Sequence, residues 1–331
     1  MSLFKNIAVI GGGSWATAIV KMLSENQESV SWWMRNEDNI KHIKQYGNNP
    51  NYISAAELFT DKLTIDSDID AIIDIADCIV LAVPSAFLVT TLESLSVPIK
   101  DKFVVSAIKG IVPENNTIVG DYLYENYHVP YENIGVITGP CHAEEVALER
   151  LSYLTIACQD VRKAEWFSKQ IICRYIKTNV SEDIYGTEIA SVLKNVVAIA
   201  SGVCHSLGYG DNFQAVLASN AIREIKRFVD IVYPIKRDIK ESAYLGDLLV
   251  TIYSQFSRNR TFGNMIGKGY SVESAQLEMS MIAEGYYAVK CIKEINEQYN
   301  IEMPITNAVY HILYEKISPA IEMRLLSDKL N

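Results

Sequence analysis

Two kinds of hydrophobic spacing divide the chain. In the first half, short apolar runs recur between polar, helix-forming stretches. Residues 6–10, 29–34, 78–83, 103–108 and 133–138 read as strands, and Thr17–Ser24 has helical character. The runs 78–83 and 103–108 are almost continuously apolar, as strands covered on both faces of a parallel sheet must be. Strands alternating with helical segments predict a doubly wound parallel sheet. From about residue 185 the apolar positions recur at helical spacing. Long helices are expected over 187–207, 212–232, 244–256, 271–298 and 308–316. The predicted fold class is α/β: a doubly wound parallel sheet over 1–185, then an all-helical domain over 186–331.

The first strand runs into Gly11-Gly-Gly-Ser-Trp-Ala16, a G-x-G-x-x-A pattern between strand and helix. Gly11 permits a tight turn, Gly13 lets the backbone approach a pyrophosphate, and Ala16 keeps the helix close to the sheet. The helix N-terminus would supply N–H donors to the anion. This placement makes the sheet domain Rossmann-type and points to a dinucleotide. NAD-selective folds carry Asp or Glu at the end of the second strand, where this chain has Arg35. A guanidinium suits a 2′-phosphate and stacks on adenine, which favours NADPH. Glu37 and Asp38 keep NADH open. Pro84-Ser85 and Lys109-Gly110 close two apolar runs at the strand ends, where open sheets bind ligands.

In the helical half, Lys194 stands among Ile189, Val192, Leu193, Val196, Val197 and Ala200, so much of its helix should be buried. An ammonium there needs an acid, a ligand or water; a lysine snorkelling at a domain seam is the alternative. Asp247 and Thr251 are four apart and share a helix face, although Asp247 could equally cap its helix. Arg258 and Asn259, after Ser257, offer a planar cationic fork and an amide that fit a phosphate. A solvated turn is the plainer reading of that polar run.

The 331 residues carry a net charge of −10, which argues against nucleic acid or an anionic membrane as a partner. No apolar stretch is both long and uncharged enough to suggest a membrane span. Six scattered cysteines form neither a CxxC pair nor a zinc spacing, and fit free thiols in a reducing cytosol. No signal peptide is recognised, and the expected location is cytoplasmic.

Read in order, Gly11–Ala16, Val83-Pro-Ser85, Ala107-Ile-Lys-Gly110, Gly139-Pro140 with Ala143-Glu-Glu-Val146, Leu193-Lys-Asn-Val196, Gly210-Asp-Asn212, Leu245-Gly-Asp-Leu248, Ser257-Arg-Asn-Arg260 and Ala283-Glu-Gly285 resemble the bacterial NAD(P)-dependent glycerol-3-phosphate dehydrogenases. The resemblance implies hydride transfer between NAD(P)H and dihydroxyacetone phosphate, giving sn-glycerol 3-phosphate for phospholipid synthesis. It implies Lys194 as acid/base, oriented by Asp247, with Lys109 contacting substrate and cofactor. Asn195 and Thr251 would line the substrate site. Arg258 and Asn259 would hold the phosphate with help from Ser257, and Gly139 and Cys141 would border the substrate. Ser14, Trp15, Arg35, Pro84, Ala143, Ile282 and Glu284 would touch the cofactor, with Arg258 able to face both ligands. No metal is needed, and a homodimer stays open. The chain departs from the family at Cys141, usually a small hydroxyl residue, at Ser219-Asn-Ala221 in place of Thr-Arg-Gly, and at Glu241-Ser-Ala-Tyr244 in place of a Gly-rich approach. Cys141 and His142 are adjacent, and neighbouring side chains rarely face one another as a nucleophile and its base do.

Overall fold

Eight short strands pair into one sheet: β1 (Ile7–Ile10), β2 (Val30–Trp33), β3 (Leu63–Asp66), β4 (Cys78–Leu81), β5 (Phe103–Ser106), β6 (Ile134–Thr138), β7 (Ser152–Cys158) and β8 (Ile176–Ser181). The computed structural model describes residues 3–279 and 283–331. The strand order is β3-β2-β1-β4-β5-β6-β7-β8. Winding reverses between β1 and β4, the kind of switch point at which open sheets take ligands. Strands β1, β4, β5 and β6 are buried throughout, which accounts for their largely apolar sequences, broken only by the buried Ser106 and Thr138 at the ends of β5 and β6.

The parallel expectation holds from β1 to β6 and is corrected beyond: β7 runs antiparallel to β6, and β8 parallel to β7. The sequence pattern missed β3 and β8 because they are edge strands that bury few side chains. It missed β7 because Ser152, Tyr153 and Thr155 interrupt its apolar run.

The chain divides into two compact units. The sheet unit runs to Ile108 and again over Val119–Ile184; the helical unit takes Lys109–Ile118 and Tyr185–Asn331. Segment 109–118 therefore leaves the sheet after β5, which a single boundary at 185 does not anticipate. Its Ile111 and Ile118 are buried in the helical core.

The helical unit centres on Ile184–Ser206. Among the described residues this is the one helix long and apolar enough to cross a membrane, but 89% of its most apolar window is buried, as in a core helix. The expected helix over 271–298 is two pieces, Val272–Glu278 and Glu284–Asn296. The spacing looked continuous because both pieces turn apolar residues toward the same core. The expected helix over 244–256 is a π-helical turn, Ser242–Gly246, followed by Asp247–Tyr253. The helix expected from 308 starts at Pro304, a residue suited to a first helical position. Helices Arg258–Gly267 and Pro319–Ser327 were not anticipated.

Candidate functional site

In the sheet unit the glycine turn is built as its sequence requires. Gly11 has φ +135°, and a Cβ there would lie 2.4 Å from the Ala82 carbonyl oxygen. Its own carbonyl accepts the Trp32 indole N–H at 2.6 Å. Gly13 precedes helix Ser14–Asn26, whose N-terminus carries no side-chain cap and no acidic residue in its first turn. Beyond Gly13 and its two chain neighbours, no atom comes within 4 Å of where a Gly13 Cβ would sit. Backbone donors, the positive end of a helix dipole and open space together fit a pyrophosphate. Ser14 and Ala16 are buried and Trp15 is half-buried.

Sequence reasoning missed Asn49. It is fully buried, and its Nδ2 donates to the Gly12 carbonyl at 3.1 Å and to Thr17 Oγ1 at 2.9 Å. Thr17 Oγ1 in turn donates to the Gly13 carbonyl at 2.9 Å. Asn49 thus braces both ends of the turn from a polar stretch that looks like an ordinary loop.

Arg35 is exposed just beyond β2. Asn36 follows it and caps helix Glu37–Tyr46, whose first turn holds Glu37 and Asp38. Pro84 is exposed after β4, beside the buried Ser85. Gly139 has φ +113°, and a Cβ there would meet the Tyr153 carbonyl at 2.8 Å, so the close approach to β7 by itself requires glycine. Cys141 is buried, His142 occupies the N-cap position of helix Ala143–Ala147, and Ala143 is that helix's first residue.

In the helical unit, Lys194 is 4% exposed and its ammonium is ion-paired with Asp247, itself 1% exposed. Burial pushes the Lys194 ammonium down to about 7; Asp247 opposes the fall and the Lys109 cation adds to it. The second carboxylate oxygen of Asp247 is buried without a hydrogen bond. Asp247 does not cap by its side chain: it is the first residue of Asp247–Tyr253, and its carbonyl accepts from Thr251 Oγ1 at 2.6 Å. Asn195 donates through Nδ2 to the Lys109 carbonyl at 2.8 Å. Lys194, Asn195, Asp247, Thr251 and Lys109 are thus linked by direct bonds and charge.

The polar run 257–260 is a helix start. Ser257 caps Arg258–Gly267 by accepting the Arg260 N–H at 3.3 Å. Asn259 is buried, and its Oδ1 accepts the Gly285 N–H at 2.9 Å. Arg258 is half-buried in the first turn, and Glu284 opens helix Glu284–Asn296. Ile282, assigned to the cofactor by resemblance, lies outside the described residues. Among the described residues no three His, Cys, Asp or Glu side chains gather as metal ligands.

Residues 6–164 match the N-terminal domain of the NAD-dependent glycerol-3-phosphate dehydrogenases, and residues 183–324 match their C-terminal domain. The chain belongs to this family. It is therefore an oxidoreductase that uses NAD or NADP. It is 31% identical to glycerol-3-phosphate dehydrogenase (NAD(P)+) of Staphylococcus carnosus, over 98% of each chain. It is 34% identical to a second enzyme of that description from Salinibacter ruber, covering 95% of this chain and 92% of the relative. A crystal structure of glycerol-3-phosphate dehydrogenase from Coxiella burnetii superposes with a TM-score of 0.88 at 25% identity, covering 97% of this chain and 98% of the other.

The dehydrogenase also holds two features of its helical unit that sequence reasoning did not find. Ser201 Oγ donates to Gln214 Oε1 at 2.9 Å, Gln214 Nε2 returns a bond to the Ser201 carbonyl at 3.0 Å, and Ser201 Oγ lies 3.0 Å from the Ile252 carbonyl. This buried network ties the Lys194 helix to the end of the Asp247 helix. The second feature is a seam of glycines. A Cβ on Gly202 would lie 2.0 Å from the Arg260 carbonyl, one on Gly263 2.1 Å from the Ile199 carbonyl, and one on Gly285 2.6 Å from the Asn195 carbonyl. A Gly267 Cβ would meet Ser206 Oγ at 1.9 Å. A lone glycine in a helical pattern gives no hint of which backbone it touches.

Proposed function

We propose that the dehydrogenase transfers hydride reversibly between NAD(P)H and dihydroxyacetone phosphate, giving sn-glycerol 3-phosphate for phospholipid synthesis in the cytoplasm. One observation carries the reading: in a chain of this family, a lysine buried to 4% exposure is paired with Asp247 and titrates near neutrality. The nicotinamide, when bound, supplies the hydride. Lys194 Nζ gives a proton to the carbonyl oxygen in reduction and takes it back from the hydroxyl in oxidation. Asp247 orients that ammonium. Lys109 stabilises charge developing on the oxygen and lowers the Lys194 affinity for its proton. Arg258, with the free Nδ2 of Asn259 and help from Ser257, holds the substrate phosphate, while Asn195 and Thr251 line the site. On the cofactor side, Gly11, Gly13, Ser14, Trp15 and Ala16 form the pyrophosphate turn, and Arg35 favours a 2′-phosphate.

The test follows absorbance of the reduced nicotinamide with dihydroxyacetone phosphate, using NADPH and NADH separately, for wild type and Arg35→Ser. Substrate-dependent oxidation by the wild type, with the NADPH-to-NADH rate ratio falling in the variant, is expected. A folded wild type that oxidises neither cofactor overturns the substrate assignment. An unchanged ratio overturns the part given to Arg35.

A further inference from the structure

Lys109 sits at the end of the β5 run in sequence, yet it belongs to the helical unit. What holds it there is a hairpin. Val112 and Thr117 form an antiparallel bridge, with the Val112 N–H donating to the Thr117 carbonyl at 2.9 Å. Asn116 closes the turn at φ +54°, a conformation asparagine tolerates better than most residues. Three attachments pin the hairpin to the helices. Asn195 holds the Lys109 carbonyl, Ile111 and Ile118 are buried in the helical core, and Asn116 Nδ2 donates to Glu294 Oε2 at 2.6 Å. Glu294 lies in the same helix as Gly285, about 13 Å along it at 1.5 Å per residue. That helix is bonded at its start to Asn259 and packed there against the Asn195 backbone. One rigid element therefore meets the phosphate-holding segment at one end and the Lys109 hairpin at the other.

We propose that Asn116 and Glu294 form a positioning latch that fixes Lys109, through the 109–118 hairpin, opposite Lys194. Neither residue touches the reacting atoms; both act through Lys109. The proposal rests on the reading of Lys194 and Lys109 given above. The charged groups around the latch are Lys290, which pairs with Glu294 at 3.8 Å, and Glu114 in the turn. Those acting on Lys194 are Asp247 and Lys109.

The test compares Asn116→Gly, Glu294→Ala and Glu294→Gln in the full-length enzyme. Glycine accepts the positive φ without strain and removes only the amide; glutamine keeps an acceptor oxygen for Asn116. Readouts are kcat for dihydroxyacetone phosphate reduction against pH, Kd for NADPH, and hydrogen exchange of the amides in 109–118. For Asn116→Gly and Glu294→Ala we expect faster exchange, a loss in kcat of about ten- to a hundred-fold, and a rate fall displaced to higher pH as the Lys109 cation moves away. NADPH affinity should fall by no more than a few-fold, since Lys109 is one cofactor contact among the several at the glycine turn, and Glu294→Gln should restore the wild-type profile. Wild-type rates and pH midpoints in both loosening variants overturn the latch, as does a lost rate with an unmoved midpoint. A wild type with no turnover at all defeats the enzymatic reading instead.

Discussion

The Oδ1 of Asn259 accepts the main-chain N–H of Gly285 at 2.9 Å, so this amide caps a helix other than its own. The N-cap residue of Glu284–Asn296 is Ala283, which has no side-chain oxygen to offer. Asn259 thus spends its oxygen on structure, while its NH₂ is the half proposed to meet the substrate phosphate. Asn259→Asp should keep the cap and the melting temperature but remove the donors and set a negative charge beside the phosphate. Its KM for the phosphorylated substrate should rise about tenfold or more, since a hydrogen bond to a charged group contributes roughly 1.5–3 kcal/mol. Asn259→Ala should additionally lose about 1 kcal/mol of stability with the cap. Melting curves and initial rates separate the two; a wild-type KM in the Asp variant would show that Asn259 serves the helix alone.

Breaking the buried pair should be asymmetric. Lys194→Ala leaves the Asp247 carboxylate buried with neither oxygen bonded, and should cost about 3–5 kcal/mol as well as several orders of magnitude in turnover. Asp247→Asn leaves a lysine whose proton is already weakly held, so the ammonium can shed it and the stability loss should be smaller. Urea unfolding of the two variants checks this; equal losses would refute the asymmetry.

The pH dependence follows with a definite sign. In the proposed mechanism reduction needs protonated Lys194, so kcat should fall as pH rises through about 7, and oxidation should rise over the same range. For stability, the folded value lies below the ordinary lysine value of 10.5, so the unfolded chain binds more protons between about 7 and 10.5. This group's contribution to stability should therefore rise with pH across that window. Lys194→Met should flatten both profiles. A wild-type rate profile that is level through neutrality would remove Lys194 as the proton carrier.

Gly202→Ala and Gly263→Ala each place a methyl about 2 Å from a backbone oxygen of the facing helix. Relief requires the two backbones to part, so each should cost at least the roughly 1–3 kcal/mol typical of overpacking. Gly210→Ala, where the same construction meets nothing within 4 Å, serves as the control. Comparable melting temperatures for all three variants would contradict the close packing.

Much of this was readable from sequence wherever one short stretch determines its own conformation. The turn at Gly11–Ala16 and the buried strands β4 and β5 were of that kind. So was the burial of Lys194, because its apolar neighbours share its own helix. Relations between distant segments were not readable. Nothing local in Asn49 points to Gly12, nothing in Ser201 points to Gln214, and nothing at Lys109 says that it leaves the sheet. The polar run at 257–260 misled because capping and solvation favour the same residue types, and only the bond from the Arg260 N–H to Ser257 Oγ distinguishes them. The end of one helix at Glu278 and the start of the next at Glu284 were hidden because both pieces answer to one core.

The glycine seam also acts as a ruler. Contacts advance together along both helices, Ile199 against Gly263 and Val203 against Gly267, so the two run in the same direction. One carries Lys194 and Asn195 a little ahead of the seam; the other begins with Arg258 and Asn259. The span between the proposed proton donor, Lys194, and the proposed phosphate holder, Arg258, is therefore set largely by main chain against main chain. Selection that trims or enlarges side chains around such a site can alter which groups a substrate carries far more readily than how long it is.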